Sequence, residues 1–241
     1  MQLIYGINPL EEALSQENPL IERLFLATNH KNSKIEQMAR GKNIPIEMQS
    51  KDFFSRLPPA NQGAAGVMRE FRYSEFTEIL KVCADNNRAT VLVLDEISDP
   101  QNIGAIIRVA HCGGIDGVIL PVRRACPITP AVIKASSGAI FSSRIAQVGN
   151  IVMAMEQLKS VGFWIYGAEA DAPTDIAEID FAAKVALVVG SEGRGMRRLV
   201  KEKCDALFSL PLRGKIGSLN VAVATGIIVY ERERRNAESK K

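Results

Sequence analysis

Three stretches of the 241-residue chain set polar or basic side chains beside glycines in a way that suits chemistry. The first is Asp95-Glu96-Ile97-Ser98-Asp99-Pro100-Gln101-Asn102-Ile103-Gly104, after an apolar run at 91–94. Asp99-Pro100 or Asn102 can open a helix there. Ile103, Ile106, Ile107 and Ala110 then fall at i, i+3, i+4 and i+7 and form its buried stripe. At about 100° per residue, Arg108 lies on nearly the opposite side, with Gly104 and Ala105. An arginine over two tiny side chains can approach another backbone or a ligand; a solvated helical arginine fits the same spacing. The second stretch is Gly190-Ser191-Glu192-Gly193-Arg194-Gly195, after an apolar run at 185–189. Its three glycines let the backbone turn tightly and come close to a ligand, although it matches neither the P-loop nor G-x-G-x-x-G. Arg197, Arg198, Lys201 and Lys203 follow, and the cluster suits a solvated helix face as well as a polyanion. The third runs from Leu210-Pro211 to Ser218-Leu219-Asn220 and opens into a helix that Ser218 or Asn220 can cap. That helix reads as apolar all round through Val229, which predicts burial on every side, against its own core or a second subunit.

These stretches need a frame to hold them. Apolar runs at 91–94, 117–120, 163–166 and 185–189 read as strands, and 102–112, 130–135, 151–161 and 219–232 read as helices. Strands apolar on both faces, alternating with helices, predict an α/β fold with a parallel sheet covered on both sides. Ligands in such sheets bind beyond the carboxyl ends of the strands, where all three stretches fall. The first 70 residues have their own rhythm. Asn8 is the expected cap of a helix with Pro9 in its first turn, followed by a strand at 21–27 and a helix at 31–40 ended by Gly41. Strands at 44–48 and after Gln62-Gly63 complete the unit. The polar segment 69–74 marks a boundary, giving expected domains at 1–70 and 71–241.

Composition narrows the classes. Hydrophobic residues are 46% and charged residues 24% of the chain, which excludes a disordered protein or a small disulfide scaffold. A net charge of +3 means that any nucleic-acid surface must come from local clustering. Cys83, Cys112, Cys126 and Cys204 are scattered, without a C-x-x-C pair, and read as buried small hydrophobes in a reducing compartment. With only His30 and His111 besides, no metal site is expected. The N-terminus lacks a basic signal-peptide region, and no run approaches the roughly 20 apolar residues that span a bilayer. The expected protein is soluble, cytoplasmic, metal-free and not bound to membrane.

In order, Asn102-Ile-Gly-Ala-Ile-Ile-Arg108, Gly190-Ser-Glu-Gly-Arg-Gly195 and Leu210-Pro through Ser218-Leu-Asn220 resemble the three signature motifs of SpoU/TrmH-type RNA ribose 2′-O-methyltransferases of the SPOUT class. Lys134-Ala-Ser-Ser-Gly138-Ala and the N-terminal segments look like the bacterial enzymes that methylate a guanosine ribose in 23S rRNA. The likeness covers nearly the whole chain; Val109 and Ala222 stand where many relatives carry Ser or Thr. It implies a deep C-terminal trefoil knot, preceded by a ribosomal-protein-like RNA-binding domain. It also implies transfer of a methyl group from S-adenosylmethionine to a ribose 2′-hydroxyl. Asn102, Arg108, Glu192, Ser218 and Asn220 would be the catalytic set, with Arg108 at the hydroxyl and Glu192 fixing Arg108 or the Gly-rich turn. Gly167, Gly190, Leu210 and Leu219 would hold the cofactor. A homodimer with Arg108 acting across its interface is also implied. In the N-terminal unit, Lys31, Lys34, Arg40 and Lys42 are candidate phosphate contacts. Nine Phe, four Tyr and one Trp argue against base stacking as the main mode of RNA recognition. A tRNA ribose methyltransferase and a non-catalytic RNA-binding or ribosome-assembly protein are the alternatives; the latter would not need Arg108, Glu192 and Asn220 together.

Overall fold

The computed structural model describes residues 2–28, 33–181 and 183–238. The N-terminal part contains β1 (Gln2–Tyr5), α1 (Ile7–Ser15), β2 (Ile21–Ala27), α2 (Ser33–Gly41), β3 (Ile46–Gln49), α3 (Lys51–Ser55) and β4 (Ala64–Met68). Its sheet has the order β1-β4-β2-β3, antiparallel except for the β2–β3 pair. α1 starts one residue before the expected Asn8 cap. Gly6, at φ +97°, turns the chain into the helix, and the Gln62 side chain accepts from the Ile7 N–H at 3.1 Å. A distant side chain thus does the capping that Asn8 was expected to do. Lys31, the expected start of α2, lies outside the described residues.

The remainder alternates α4 (Phe76–Ala84), β5 (Thr90–Asp95), α5 (Pro100–Cys112), β6 (Gly117–Pro121), α6 (Pro130–Ala135), β7 (Ile145–Val148), α7 (Ile151–Ser160), β8 (Trp164–Ala168), β9 (Thr174–Asp175), β10 (Val185–Gly190), α8 (Arg198–Lys203), β11 (Ala206–Ser209) and α9 (Val221–Glu238). Every strand pair of its seven-stranded sheet is parallel, in the order β7-β6-β5-β10-β8-β11-β9. Every residue of β5 and β6 is buried, as continuous apolar runs require when helices cover both faces. The short strands β7, β9 and β11 and the helices α4 and α8 were not anticipated. The strands have at most four residues and α8 six, too short to set a period, whereas α4 carries one in Phe76, Ile79, Leu80 and Cys83 that was passed over.

At the C-terminus one expectation is narrowed and one changes. α9 buries Val221, Thr225, Ile228 and Val229, but Val223, Ile227 and Tyr230 are 52%, 44% and 72% exposed. Its own core therefore covers one side only. Nor is the region from Arg232 a frayed end as far as Glu238. Arg235 donates to the carbonyls of Ile176, Ala177 and Ile179, and the buried Arg232 donates to Gly113 O. Residues 239–241 lie outside the described residues.

Segment 69–74 is polar but fastened. Ser74 N donates to Ile145 O at 2.8 Å, and Tyr73 Oη accepts from Ile128 N at 3.0 Å. The N-terminal part also packs directly on the end of α6. Lys134 Nζ donates to Ala60 O at 2.8 Å, and burial pushes the Lys134 pKa down.

Candidate active site

The loops after β8, β10 and β11 meet at the carboxyl edge of the parallel sheet and surround a cleft of about 280 Å³ whose walls include Glu169, Gly190, Leu210, Leu212, Ser218 and Leu219. α5 begins beside it with Asp99 as its cap, accepting from Gln101 N at 3.1 Å, and Pro100 in the first turn. The predicted stripe of Ile103, Ile106, Ile107 and Ala110 is fully buried, which leaves the other faces of α5 for polar work.

Three predicted residues meet. Glu192 Oε1 accepts from Asn102 Nδ2 at 3.0 Å, from Val221 N at 3.2 Å and from Asn220 Nδ2. Asn220 Nδ2 also donates to Asn102 Oδ1 at 2.8 Å, while its own Oδ1 caps α9 by accepting from Ala222 N and Val223 N at 3.0 and 3.2 Å. One carboxylate oxygen gathers three N–H donors from the starts of α5 and α9, so the Gly-rich turn is tied to both helices. Of the two roles expected for Glu192, the structure shows the turn and not Arg108: no bond joins Glu192 to Arg108 among the described residues. Arg108 is exposed on α5, does not line the cleft, and donates from Nη1 to Ser137 Oγ at 3.0 Å. Ser218 lines the cleft wall, as do Leu210 and Leu219.

The two glycines differ in their reasons. A side chain at Gly190 would strike the backbone of Gly195 and Met196, where the loop closes on itself through Gly195 N to Ser191 O at 2.9 Å. The turn itself therefore demands glycine, before any ligand is considered. Gly167 does not line the cleft. It is buried against Leu207, Met196 and Cys204, and the next residues, Ala168 and Glu169, reach the cleft instead.

The basic cluster after the loop is internally paired. Arg197 donates to the fully buried Asp95 from its backbone N and from Nε, both at 2.8 Å, and Nη2 lies 2.6 Å from Oδ1. The Asp95 carboxylate holds the Arg197 pKa above its ordinary value. Arg198 pairs with Glu202 at 2.6 Å, Lys201 with Glu169 at 2.7 Å and Lys203 with Glu156 at 2.7 Å. Sequence reasoning passed over Asp95; its signal was an acid closing a fully apolar strand, where only a paired charge is tolerated. In the N-terminal part, Lys34 pairs with Glu11 and Arg40 with Glu36, both at 2.8 Å, and Lys42 Nζ reaches Gln16 O at 2.5 Å. Lys31 lies outside the described residues. Burial pushes the thiols of Cys83 and Cys204 up to about 11 and about 12, whereas Cys112 is exposed, against the expectation of burial. Among the described residues, no helix is long and apolar enough to cross a membrane, and no group of three His, Cys, Asp or Glu gathers as a metal cluster would.

Comparison with known proteins gives the family. A model of the SpoU rRNA Methylase family matches residues 89–230, and a model for RNA 2'-O ribose methyltransferase substrate binding matches residues 3–74. A putative TrmH family tRNA/rRNA methyltransferase of Bacillus subtilis is 37% identical, over 96% of this chain and 95% of its own length. A Staphylococcus aureus protein described in the same words is 36% identical, over 95% and 94%. Among solved structures, an rRNA methyltransferase from Sinorhizobium meliloti with AdoMet bound is 26% identical with a TM-score of 0.80, over 97% of this chain and 87% of that one. The SpoU methyltransferase AviRb from Streptomyces viridochromogenes shares the fold, with a TM-score of 0.85 over 99% of this chain and 90% of that one, at 23% identity.

Proposed function

Because the chain belongs to the SpoU rRNA methylase family, we propose that it transfers a methyl group from S-adenosylmethionine to a ribose 2′-hydroxyl of RNA, that of a guanosine in 23S rRNA. The observation that carries this reading is the Asn102–Glu192–Asn220 node, which ties all three signature loops together beside one cleft. The cleft suits the cofactor. Its volume is near the lower end of small-molecule sites, about 300–1,000 Å³. Leu210, Leu212 and Leu219 offer an apolar wall, and the carboxylates of Glu169 and Glu192 on its lining suit a ligand that carries a cationic sulfonium. Backbone around Gly190, Leu210 and Leu219 would hold the cofactor; the methyl it supplies is already activated by the sulfonium.

The chain's own residues must align the nucleophile and ease loss of its proton. Arginine is almost never deprotonated, so Arg108 is not the base. It holds the target phosphate and favours the developing alkoxide electrostatically, while phosphate or water takes the proton. Asn102 and Asn220 keep the loops in register, and Ser218 orients substrate from the cleft wall. Arg108 does not line the cleft of its own chain, which supports a homodimer in which it serves the partner's site. The exposed Val223, Ile227 and Tyr230 of α9 supply an apolar surface for that contact. β10 follows β8 in the chain yet lies between β5 and β8 in the sheet, a return that suits the trefoil knot.

The test incubates full-length protein with methyl-tritiated S-adenosylmethionine and with rRNA or tRNA from a strain lacking it. Label in an alkali-resistant guanosine dinucleotide of 23S rRNA is the expected result. Label confined to tRNA moves the substrate to that class, and cofactor binding without transfer to either RNA leaves an RNA-binding protein.

A further inference from the structure

Ser137 holds a conformation that a serine should avoid. It follows α6 at φ +54°. Ser137 N donates to Lys134 O at 3.0 Å and Gly138 N donates to Ile133 O at 3.2 Å. That pair of bonds is the Schellman ending of a helix, whose left-handed position usually holds glycine because a Cβ there is unfavourable. Here the position carries a hydroxyl, and the hydroxyl accepts from Arg108 Nη1 at 3.0 Å. The neighbouring Ser136 turns its hydroxyl inward to Ile133 O and is fully buried, so only Ser137 reaches the arginine.

The rest of the setting brings the two together. α5 and α6 cross in near-backbone contact at Gly104, where a Cβ would lie 2.8 Å from Val132 O and 2.9 Å from Ser136 N. Arg108 is four residues further along α5, on the same face as Gly104. The N-terminal part grips the chain on both sides of Ser137. Lys134 Nζ bonds to Ala60 O, and a Cβ on Gly138 would lie 2.6 Å from the Glu12 Cβ. The partner's chemistry also matters. A carboxylate would neutralise the guanidinium, as Asp95 does for Arg197; a neutral hydroxyl fixes its direction and leaves the charge for an anion. No carboxylate among the described residues pairs with Arg108.

We propose that Ser137 is a positioning residue: from a left-handed helix end clamped by the N-terminal part, it aims Arg108 while leaving its full charge for the RNA. This rests on the role given to Arg108 above. The experiment measures initial rates on full-length protein with tritiated S-adenosylmethionine and 23S rRNA from a strain lacking the chain. Ser137→Gly keeps the backbone conformation and removes the CH2OH side chain, and with it the hydroxyl that meets Arg108. It should lower kcat about tenfold, with KM for RNA and Kd for the cofactor within about twofold, and with Tm unchanged or higher. Ser137→Asn tolerates the left-handed region and restores an acceptor, so most of the lost rate should return. A wild-type kcat in Ser137→Gly, or no recovery in Ser137→Asn, overturns the proposal. If Arg108→Ala is inactive while Ser137→Gly is normal, only the positioning role falls. If Arg108→Ala keeps the wild-type rate, the function given to Arg108 falls with it.

Discussion

Arg197 follows the Gly-rich loop and Arg108 is the ninth residue of α5, and their surroundings are opposite in kind. Arg197 wraps a fully buried carboxylate with its backbone N–H and side chain, and its charge is answered inside the fold. Arg108 stands exposed on a helix and, among the described residues, donates to a neutral hydroxyl. The cluster that looks most like a polyanion site in the sequence, 197–203, is thus largely architectural. The arginine of α5, by contrast, has no carboxylate partner among the described residues. Cations read for function must be sorted by their partners, not by how densely they are written.

The comparison predicts its own breaking points. Arg108→Ala should reduce methyl transfer by about 10²–10³-fold, as removal of one donor to a developing anion does. Calorimetric affinity for S-adenosylmethionine should stay within about twofold; loss of that affinity instead would assign Arg108 to the cofactor. Arg197→Ala should act on the fold. It leaves Asp95 buried and charged without its guanidinium, held only by the backbone N–H of residue 197, a change that costs about 3 kcal/mol, read by denaturant unfolding. Gly190→Ala must displace the backbone of Gly195 and Met196, so it should destabilise by about 1–3 kcal/mol and weaken cofactor binding by calorimetry.

Glu231 offers a milder contrast, an acid rather than a base held by its neighbours. Arg234 and Arg235 hold its carboxyl down to about 2, from an ordinary 4.5. A depressed carboxyl stabilises fully above its ordinary value, and that contribution is lost as pH falls toward 2. Glu231→Gln should therefore flatten the acid limb of a stability-versus-pH curve and leave the neutral region parallel to wild type. The smallest effect belongs to Lys203. Its partner Glu156 lies on the surface with it, so Lys203→Ala should shift neither Tm nor the salt dependence of RNA binding measurably. A shallower salt slope in that variant would return the cluster to the RNA surface.

Much of the frame was legible because its signal is local. The strand at 21–27 and the helix at 130–135 match their expected bounds, and the buried stripe of α5 has every member predicted for it. Short elements such as β7 and β11 were not legible, since four residues carry no period. For α9 the sequence left open whether its own core or a second subunit covers it, because its apolar residues do not reveal how much neighbouring core is available; its own core covers one side. At the site, Leu210, Leu219 and Ser218 reach the cleft, while Gly167 lies one residue short of it, packed against side chains.

By itself the sequence determined where strands and helices form and which loops carry unusual residues, because burial period, caps and glycine turns act between residues a few positions apart. Only the tertiary structure decided the partners. Asn102 is 90 residues from Glu192 and 118 from Asn220, and nothing along the chain says that one carboxylate oxygen will gather both amides. Nor does spacing say that Arg197 faces a buried acid 102 residues away while Arg108 faces a serine. A charge acts through what surrounds it at a few ångströms, and that surrounding exists only once the sheet has brought its loops to one edge.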